Sequence, residues 1–168
     1  PPPEGACCLT DGSCLIGTAD ECTAQGGTYQ GDETSCDPNP CPQPQSEGCG
    51  HGYWKNHSEE WEQTGFAPED LVGTIFLIPD PLSELADDTL DDALRYPGGS
   101  RVIGAARILL RHATAALLNA GHPDVNYPVS VSEIIAAVNA ALASDDRKTI
   151  QSCKHEVDLH NSCGCPLN

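Results

Sequence analysis

The stretch "GCGHGYWKNHSEEW", residues 48–61, decides how the chain is interpreted, because it concentrates the residue types that carry chemistry. It holds a cysteine, two histidines, two tryptophans, a tyrosine and a lysine, interleaved with three glycines. Little else in the 168 residues looks like a reactive centre. The stretch is therefore an active site, a metal site or the aromatic plug of a small core.

The two tryptophans favour the plug. Trp54 and Trp61 stand seven residues apart, about two helical turns, so they share a face if one helix covers both. Asn56 or Ser58 is a suitable N-cap, and a helix is predicted to begin near His57. Buried indole and imidazole groups would then bond nearby polar groups. The predicted structural motif consists of Gly52, Tyr53, Trp54, Lys55, Asn56, His57 and Trp61.

A metal site is the sharper alternative. His51 and His57, with Glu59 or Glu60, offer imidazole and carboxylate ligands of the kind that zinc binds. The spacing of the histidines is not a recognised ligand pattern, and no Ser-His-Asp or Cys-His order stands out. The chain is therefore predicted not to be an enzyme and to need no cofactor. A small secreted metal-dependent hydrolase is the least favoured alternative.

Ten cysteines indicate disulfides and an oxidising compartment, since an even number of them is clustered in an acidic chain that lacks C-x-x-C pairs. Adjacent Cys7 and Cys8 point to opposite faces of an extended chain and are expected to bond different partners. The other pairings, and whether any bridge joins two subunits, stay open. All ten are predicted to be bonded: Cys7, Cys8, Cys14, Cys22, Cys36, Cys41, Cys49, Cys153, Cys163 and Cys165.

Four of these cysteines fall in the second part of the chain. The simplest arrangement joins Cys49 to either Cys163 or Cys165 and leaves the other of those two for Cys153. A bridge from Cys49 to the late cluster closes a very long loop, which the chain-entropy description values at about 4–5 kcal/mol. It would also fasten the GYWKNH segment beside the end of the domain.

A proline-rich joint divides the chain. The segment "CDPNPCPQPQSEG", residues 36–48, indicates a stiff linker, and no Lys or Arg occurs before it. The N-terminal part, which ends at Cys41 within this segment, holds six cysteines and is too short to bury a sufficient core, so crosslinks would have to hold it. The predicted organisation is an extended arm (1–6), a six-cysteine module (7–41), a proline-rich linker (42–48) and a helical domain (49–168).

Helical periodicity governs the last region. Residues 100–121 carry one apolar stripe, with Ser100 as the predicted N-cap and Gly121 just past the end. Ser130 and Glu133 form a capping-box pattern for the next helix. The predicted fold class is a small disulfide-rich module of short strands followed by an all-α domain of four to six helices, braced by disulfides.

Three further segments have weaker signals. Asp145 and Asp146 suit the first turn of a last helix. Residues 80–96, "DPLSELADDTLDDALRY", predict a shorter helix, whereas "VGTIFLIPD", residues 72–80, fits a buried strand or a loop.

The chain is strongly acidic, with 25 acidic residues against 8 basic ones and a formal net charge of −17. Such a charge repels phosphate, so nucleic acid and anionic membranes are not expected partners. No apolar run is long enough to predict membrane insertion. Calcium is a possible ligand of a carboxylate-rich face on the predicted helix over 80–96, although no D-x-D-x-D-G loop occurs. The candidate ligands are Asp87, Asp88, Asp91 and Asp92.

Two resemblances point to the surface of bacteria. The cysteine pattern GACC…DGSC…C…GGTYxGD…C…C resembles a six-cysteine repeat of secreted and surface proteins of environmental bacteria. The pattern C-x-x-GYWKNH-x-x-x-W, followed by a helix ending "LLNA" and a late cysteine cluster, is similar to a domain recurrent in bacterial extracellular proteins. That family usually has CTP before GYWKNH, where this chain has CGH. It carries no established enzymatic activity, so the resemblance implies a secreted, disulfide-braced module.

The predicted function is that of a non-enzymatic structural subunit of an extracellular assembly, such as a filament, sheath or surface layer. Its expected partners are other copies of itself, with the arm over residues 1–6 lying on a neighbour and head-to-tail contacts propagating. The alternative is a soluble secreted module that binds a ligand or carbohydrate. Exposed aromatic rings would then serve as stacking platforms, the candidates being Tyr29, Tyr53, Trp54 and Trp61.

Overall fold

The chain forms two compact units, Pro1–Gln45 and Ser46–Asn168, in a computed structural model that describes residues 2–42 and 45–167. The boundary falls inside the predicted linker, but the linker is shorter than 42–48. Glu47 donates its backbone N–H to the carbonyl of Asn126 at 3.0 Å, so it belongs to the second unit. Residues 43 and 44 of the linker and residue 1 of the arm lie outside the described residues.

The first unit is a small sheet with one short helix. Strands β1 (Gly5–Cys8), β2 (Cys14–Gly17) and β3 (Thr28–Tyr29) are antiparallel in the order β2-β1-β3. Helix α1 (Ala19–Ala24) begins at a capping box formed by Thr18 and Glu21. Three disulfides crosslink these elements, namely Cys7–Cys22, Cys8–Cys41 and Cys14–Cys36.

The expected arm over residues 1–6 is only partly separate from this sheet. Gly5 and Ala6 belong to β1, and Ala6 is fully buried and donates its N–H to Thr34 Oγ1 at 2.7 Å. The carbonyl of Glu4 accepts from the N–H of Glu33 at 2.8 Å. The arm prediction is therefore wrong for Gly5 and Ala6, because their backbone groups pair within their own unit.

The second unit is built around one long helix, α5. The α-helices are α2 (His51–Trp54), α3 (Val72–Ile75), α4 (Leu90–Leu94), α5 (Val102–Gly121), α6 (Val131–Ala143) and α7 (Arg147–Asn161). Two 3₁₀ helices cover Ser58–Gln63 and Asp80–Leu85. Helices α4, α6 and α7 pack on α5, whose leucines and alanines form the centre of the core. The chain thus has the predicted combination of short strands, helices and disulfides.

The helix ends agree with the sequence where capping chemistry is strong. The Ser130 side chain accepts from the N–H of Glu133, and the Glu133 carboxylate accepts in return, as predicted. Helix α5 begins one residue later than predicted, with Arg101 and not Ser100 at the N-cap. Asp146 is the N-cap of α7 and accepts from the N–H of Thr149, so it lies just outside the first turn.

Two helix predictions are wrong. The helix expected over residues 80–96 is broken between Leu85 and Leu90, because Thr89 and Asp92 form a capping box that starts α4 afresh. The N-cap expected for the helix near His57 is also wrong, because the 3₁₀ helix that begins there has His57, and not Asn56 or Ser58, at its N-cap. Helix α2 ends at Trp54, and the 3₁₀ helix starts at Ser58 without a side-chain cap.

The segment over residues 72–80 was predicted to be a buried strand or a loop, and the structure shows a short helix instead. Its first half is the short helix α3, and Phe76, which follows, is extended. None of the helices in the part of the chain that the structure describes has the length and hydrophobicity that a bilayer crossing requires.

Candidate functional site

The GYWKNH stretch lies where the two ends of the second unit meet. Cys49 is bonded to Cys165, across a sequence separation of 116, and this is one of the two partners that the sequence left open. Beside the bridge, Gly48 donates its N–H to the carbonyl of Gly164 at 2.9 Å in an isolated antiparallel bridge. A Cβ on Gly48 would collide with the carbonyl oxygen of His160, so only glycine fits this close approach. We call this region, residues 48–61 together with 161–167, the seam.

A buried amide lies at the centre of the seam. Asn119, fully buried on α5, accepts through Oδ1 from the N–H of Cys49 at 2.8 Å and from Trp54 Nε1 at 3.1 Å. Its Nδ2 donates to the carbonyl of Cys49 at 2.9 Å and to Asn161 Oδ1 at 3.0 Å. The four hydrogen bonds use the full capacity of one amide side chain. Asn119 therefore locks the disulfide end of the seam onto α5.

A second amide extends the network to α7. Asn161 is 2% exposed, and its Oδ1 also accepts from the hydroxyl of Tyr127 at 2.9 Å. Its Nδ2 donates to the carbonyl of His112 at 2.9 Å. Asn119 and Asn161 thus connect the entry of the unit with α5 and the end of α7. A buried polar network of this kind specifies one arrangement of its elements when all its members are paired.

The aromatic residues of the motif close the seam from the other side. Trp54 and Trp61 are 0% and 1% exposed, and Trp61 Nε1 donates to the carbonyl of Trp54 at 3.1 Å. Tyr53 stacks on His57 with ring centroids 4.0 Å apart, and its hydroxyl donates to the carbonyl of Leu167 at 2.8 Å. Because both indoles are buried, neither tryptophan is available as a stacking platform for a ligand. Tyr29 and Tyr53 are each half-buried.

The remaining motif residues make local contacts. His57 Nδ1 lies 2.9 Å from the carbonyl of Tyr53, and Asn56 Nδ2 donates to the carbonyl of Gly52 at 2.8 Å. The Lys55 carbonyl accepts from Arg95 Nη2 at 3.4 Å. A Cβ on Gly52 would meet nothing within 4 Å, so the backbone freedom of glycine is required at Gly48 and not there.

Two buried histidines contact residues of the seam. His112 is 5% exposed, its Nδ1 stands 3.1 Å from Asp158 Oδ1 without hydrogen-bond alignment, and its ring meets His51 edge-on at 5.1 Å. Burial lowers the pKa of His112 to about 4, and it also lowers the pKa of His51. His112 is therefore neutral at physiological pH, which suits a packed internal imidazole.

The second histidine, His122, packs near Trp54. It is 3% exposed, its Nδ1 accepts from the N–H of Asp124 at 3.2 Å, and its Nε2 lies 3.6 Å from Glu60 Oε2. The ring centroids of His122 and Trp54 are 6.0 Å apart. Neither buried imidazole is open to a substrate that approaches from solvent.

The structure does not gather the predicted metal ligands into a site. His51 lies against His112, whereas His57 stacks on Tyr53. No group of three or more His, Cys, Asp or Glu side chains within residues 2–42 and 45–167 is arranged to hold a metal ion.

The four aspartates proposed for calcium have separate local roles. Asp88 accepts from the Tyr96 hydroxyl at 2.6 Å, and Asp91 pairs with Arg95 at 3.0 Å. Asp92 caps α4, which lowers its pKa through hydrogen bonds from Thr89, and Asp87 is exposed. Since the helix over 80–96 is broken, they do not form the single carboxylate face that the sequence predicted.

Eight of the ten cysteines form the four disulfides, and Cys7 and Cys8 bond different partners as expected. Cys153 and Cys163 are free, so the simplest arrangement is wrong in its second bridge, because Cys153 does not pair with the late cysteine that Cys49 leaves over. Cys153 lies within α7 and Cys163 just beyond its end, so the helix holds them apart.

Sequence reasoning missed the central residues of the seam, Asn119 and Asn161. A signal for Asn119 is present: it stands seven residues after His112 in a helix that is otherwise rich in alanine and leucine, and two polar residues at that spacing share a buried face. Nothing comparable marks Asn161, which lies in a polar stretch of α7.

Comparison of the chain with known proteins identifies no relative. No family model matches the chain, and neither a curated protein nor a solved structure matches it.

Proposed function

We propose that the chain is a non-enzymatic structural subunit of an extracellular assembly, a filament, sheath or surface layer in which copies contact one another head to tail. The observation that carries this proposal is that side chains of the GYWKNH stretch make their contacts within their own unit. Its tryptophan, tyrosine and asparagine side chains bond groups of their own unit and close the seam. Residue types that elsewhere bind substrates or metals here fasten the ends of a domain.

The disulfides support an extracellular location. Each unit is crosslinked separately, the first by three bridges and the second by the Cys49–Cys165 bridge. Such bonds persist in oxidising surroundings and are rare in the cytosol. A subunit that must stay folded outside the cell, without chaperones, gains from covalent closure of both of its units.

The charge sets a condition on assembly. Copies that each carry a formal net charge of −17 repel one another, so association needs specific contacts or screening cations. Calcium or another divalent cation between copies would reduce this repulsion. Assembly is therefore expected to be stronger with added calcium or at raised ionic strength than in dilute buffer.

The test is electron microscopy of the purified full chain, combined with light scattering. Micrometre-long polymers that form with rising concentration, and whose number rises with calcium or salt, are the expected result. A protein that stays monomeric at every concentration and in every buffer, and in material taken directly from the cell surface, would contradict the proposal.

A second candidate function, a ligand-binding module, is favoured by one cavity. A cavity of about 340 Å³ lies between α5 and α7 and is lined by Arg147, Lys154 and His155, which suits an anionic ligand such as an acidic oligosaccharide. Calorimetric titration with an oligogalacturonate tests it. Monomers that bind this probe, and lose binding in the Arg147→Ala, Lys154→Ala double variant, would favour this function over assembly.

A further inference from the structure

Two thiols are left over in a chain whose other cysteines are all crosslinked. Cys153 and Cys163 are free, whereas the remaining eight cysteines form four disulfides. In an oxidising compartment an unpaired cysteine is either reactive or bonded to another chain. Because there are two free thiols, each can form a disulfide with the other type on a different copy of the chain.

The two thiols cannot meet within one chain. Cys153 lies in α7, and the eight residues from Cys153 to the helix end at Asn161 rise about 12 Å along the axis. Cys163 lies on the turn after that end, where its N–H bonds the carbonyl of His160 and its Sγ lies 3.3 Å from the carbonyl of Leu159, which is itself about 9 Å along the axis from Cys153. A disulfide needs Cα atoms within about 7 Å. The helix therefore separates the two thiols for as long as the unit is folded.

Their surroundings are complementary. Cys163 is exposed on the turn after α7, between the exposed residues Ser162 and Gly164. Cys153 is half-buried and lines a cavity of about 100 Å³. Two recessed thiols on separate copies cannot approach to bonding distance, but a protruding thiol can reach a recessed one. A bond between two exposed Cys163 thiols would stop at a dimer and leave every Cys153 unpaired, so only the pairing of one Cys163 with one Cys153 uses both free thiols of each copy.

Helix α7, which carries Cys153 and ends just before Cys163, is also a favourable surface for a second copy. α7 has three basic residues, Arg147, Lys148 and Lys154, against two carboxylates, although the whole chain is strongly acidic. Repulsion between two copies is therefore weaker there than over most of the surface. Leu159, one turn before Cys163, is 57% exposed and offers an apolar contact next to the thiol.

From these observations we propose that Cys163 of one copy forms a disulfide with Cys153 of the next, which links copies of the chain head to tail. The inference rests on the proposed function, because it assumes that copies associate. Since the two cysteines differ, each copy keeps one thiol for a further neighbour, and the linkage can propagate without closing.

The chemistry is two successive thiol–disulfide exchanges with a small disulfide oxidant. The Cys163 thiolate attacks one sulfur of the oxidant, forms a mixed disulfide and releases one thiol. The Cys153 thiolate of the next copy then attacks the Cys163 sulfur and releases the second thiol. Two protein thiols are oxidised, the oxidant takes up two electrons, and the two protons end on the released thiols. The exposed Cys163 reacts first because burial raises the pKa of the Cys153 thiol.

The test uses the full chain with its four disulfides intact and oxidised glutathione as the oxidant. Wild-type protein is expected to give a ladder of dimers, trimers and larger covalent oligomers on non-reducing electrophoresis. The variants Cys153→Ser and Cys163→Ser are each expected to stay monomeric. An equimolar mixture of the two is expected to give dimers and nothing larger, because each variant supplies one half of one bond. Peptide mass mapping should recover the Cys153–Cys163 crosslink.

Several outcomes would overturn the inference. They are a wild-type protein that stays monomeric or stops at the dimer, a Cys153→Ser protein that still dimerises through Cys163, and a mixture that gives no dimer. Cys153→Ala serves as a second variant, because a serine hydroxyl at a half-buried site can disturb folding. Circular dichroism of each variant confirms that α7 is intact.

The inference and the proposed function fail separately. If the Cys153→Ala, Cys163→Ala double variant forms polymers in electron microscopy and the wild-type protein forms no crosslink, the proposed assembly stands and the intermolecular disulfide is refuted. If the wild-type protein gives crosslinked oligomers on electrophoresis but no ordered polymers in electron microscopy, the intermolecular disulfide stands and the proposed assembly is refuted.

Discussion

The two units of this chain reach a folded state by different means. Among the described residues of the first unit, the buried apolar side chains are Ala6 and four cysteines, and three disulfides hold a three-stranded sheet. The second unit has one disulfide, but its core contains both tryptophans and the leucines of α5. Covalent bonds therefore replace apolar burial where a segment is too short to bury enough surface.

Removing one bridge from each unit tests this contrast and should have the largest effect. The pair Cys7→Ala, Cys22→Ala is expected to unfold the first unit entirely, since the loss of about 3 kcal/mol exceeds what its small core supplies. The pair Cys49→Ala, Cys165→Ala removes about 4–5 kcal/mol, but the helices should survive because the core remains. Hydrogen exchange followed by mass spectrometry reports each unit separately. Protection retained in the first unit, or lost throughout the second, would refute the contrast.

Removing the amide at the centre of the seam should have the next largest effect. Asn119→Ala leaves the N–H and carbonyl of Cys49 and the indole N–H of Trp54 buried without partners, which is expected to lower the free energy of unfolding by about 3–5 kcal/mol. Thermal unfolding measures the change.

The matched control for that substitution is Asn39→Ala in the first unit. Asn39 also makes two backbone hydrogen bonds, to Gly12 and Cys41, but it is exposed. Water replaces those bonds, so a loss below about 1 kcal/mol is expected. Equal losses at Asn119 and Asn39 would mean that burial is not what makes the seam important.

Acid should distinguish the units because every histidine lies in the second. The pKa of His112 is lowered to about 4 by burial, against about 6.5 in an unfolded chain, in surroundings that include His51, Arg111, Lys154 and Asp158. Between these values the unfolded chain binds a proton that the folded chain does not. The free energy of unfolding is therefore expected to fall by up to about 3 kcal/mol as pH drops from 6.5 to 4.

Denaturant unfolding of the second unit, measured across that pH range, checks the expectation. His112→Gln should reduce the dependence on pH, and the part that remains is expected to come from His51, whose pKa burial also lowers. His155→Gln replaces a histidine at an exposed position on the same unit and serves as the matched control. A slope that is undiminished in His112→Gln would show that His112 is not responsible.

The smallest expected effect concerns two glycines of the seam. Gly48→Ala drives a Cβ against the carbonyl of His160, and a loss of about 2 kcal/mol is expected. Gly52→Ala, in the same stretch but in open space, should change stability by less than about 0.5 kcal/mol. Differential scanning calorimetry of both variants measures the difference. Equal melting temperatures would show that the contact at Gly48 is not tight.

The sequence predicted local features better than long-range ones. The capping box of Ser130 and Glu133 formed as expected, because both partners lie within four residues of each other. The break before α4 was missed, although Thr89 and Asp92 carry the same chemistry, because the apolar periodicity over 80–96 appeared continuous. Where two local signals of similar strength compete, tertiary packing determines which of the two structures forms.

The seam could be predicted only in part. An aromatic plug near the joined chain ends follows from the spacing of Trp54 and Trp61 and from the late cysteines. The choice of Cys165 over Cys163, and the role of Asn161, depend on how the chain turns after α7. Such choices arise from three-dimensional approach and leave no periodic trace in the sequence.

The Cys49–Cys165 bridge has a mechanical consequence. It joins the points at which the chain enters and leaves the second unit. A tensile force applied between residues 48 and 166 would pass through one covalent bond, and the helices between would carry almost none of it. Under load the second unit would behave as an inextensible link, and any stretching would be confined to the chain outside that bond.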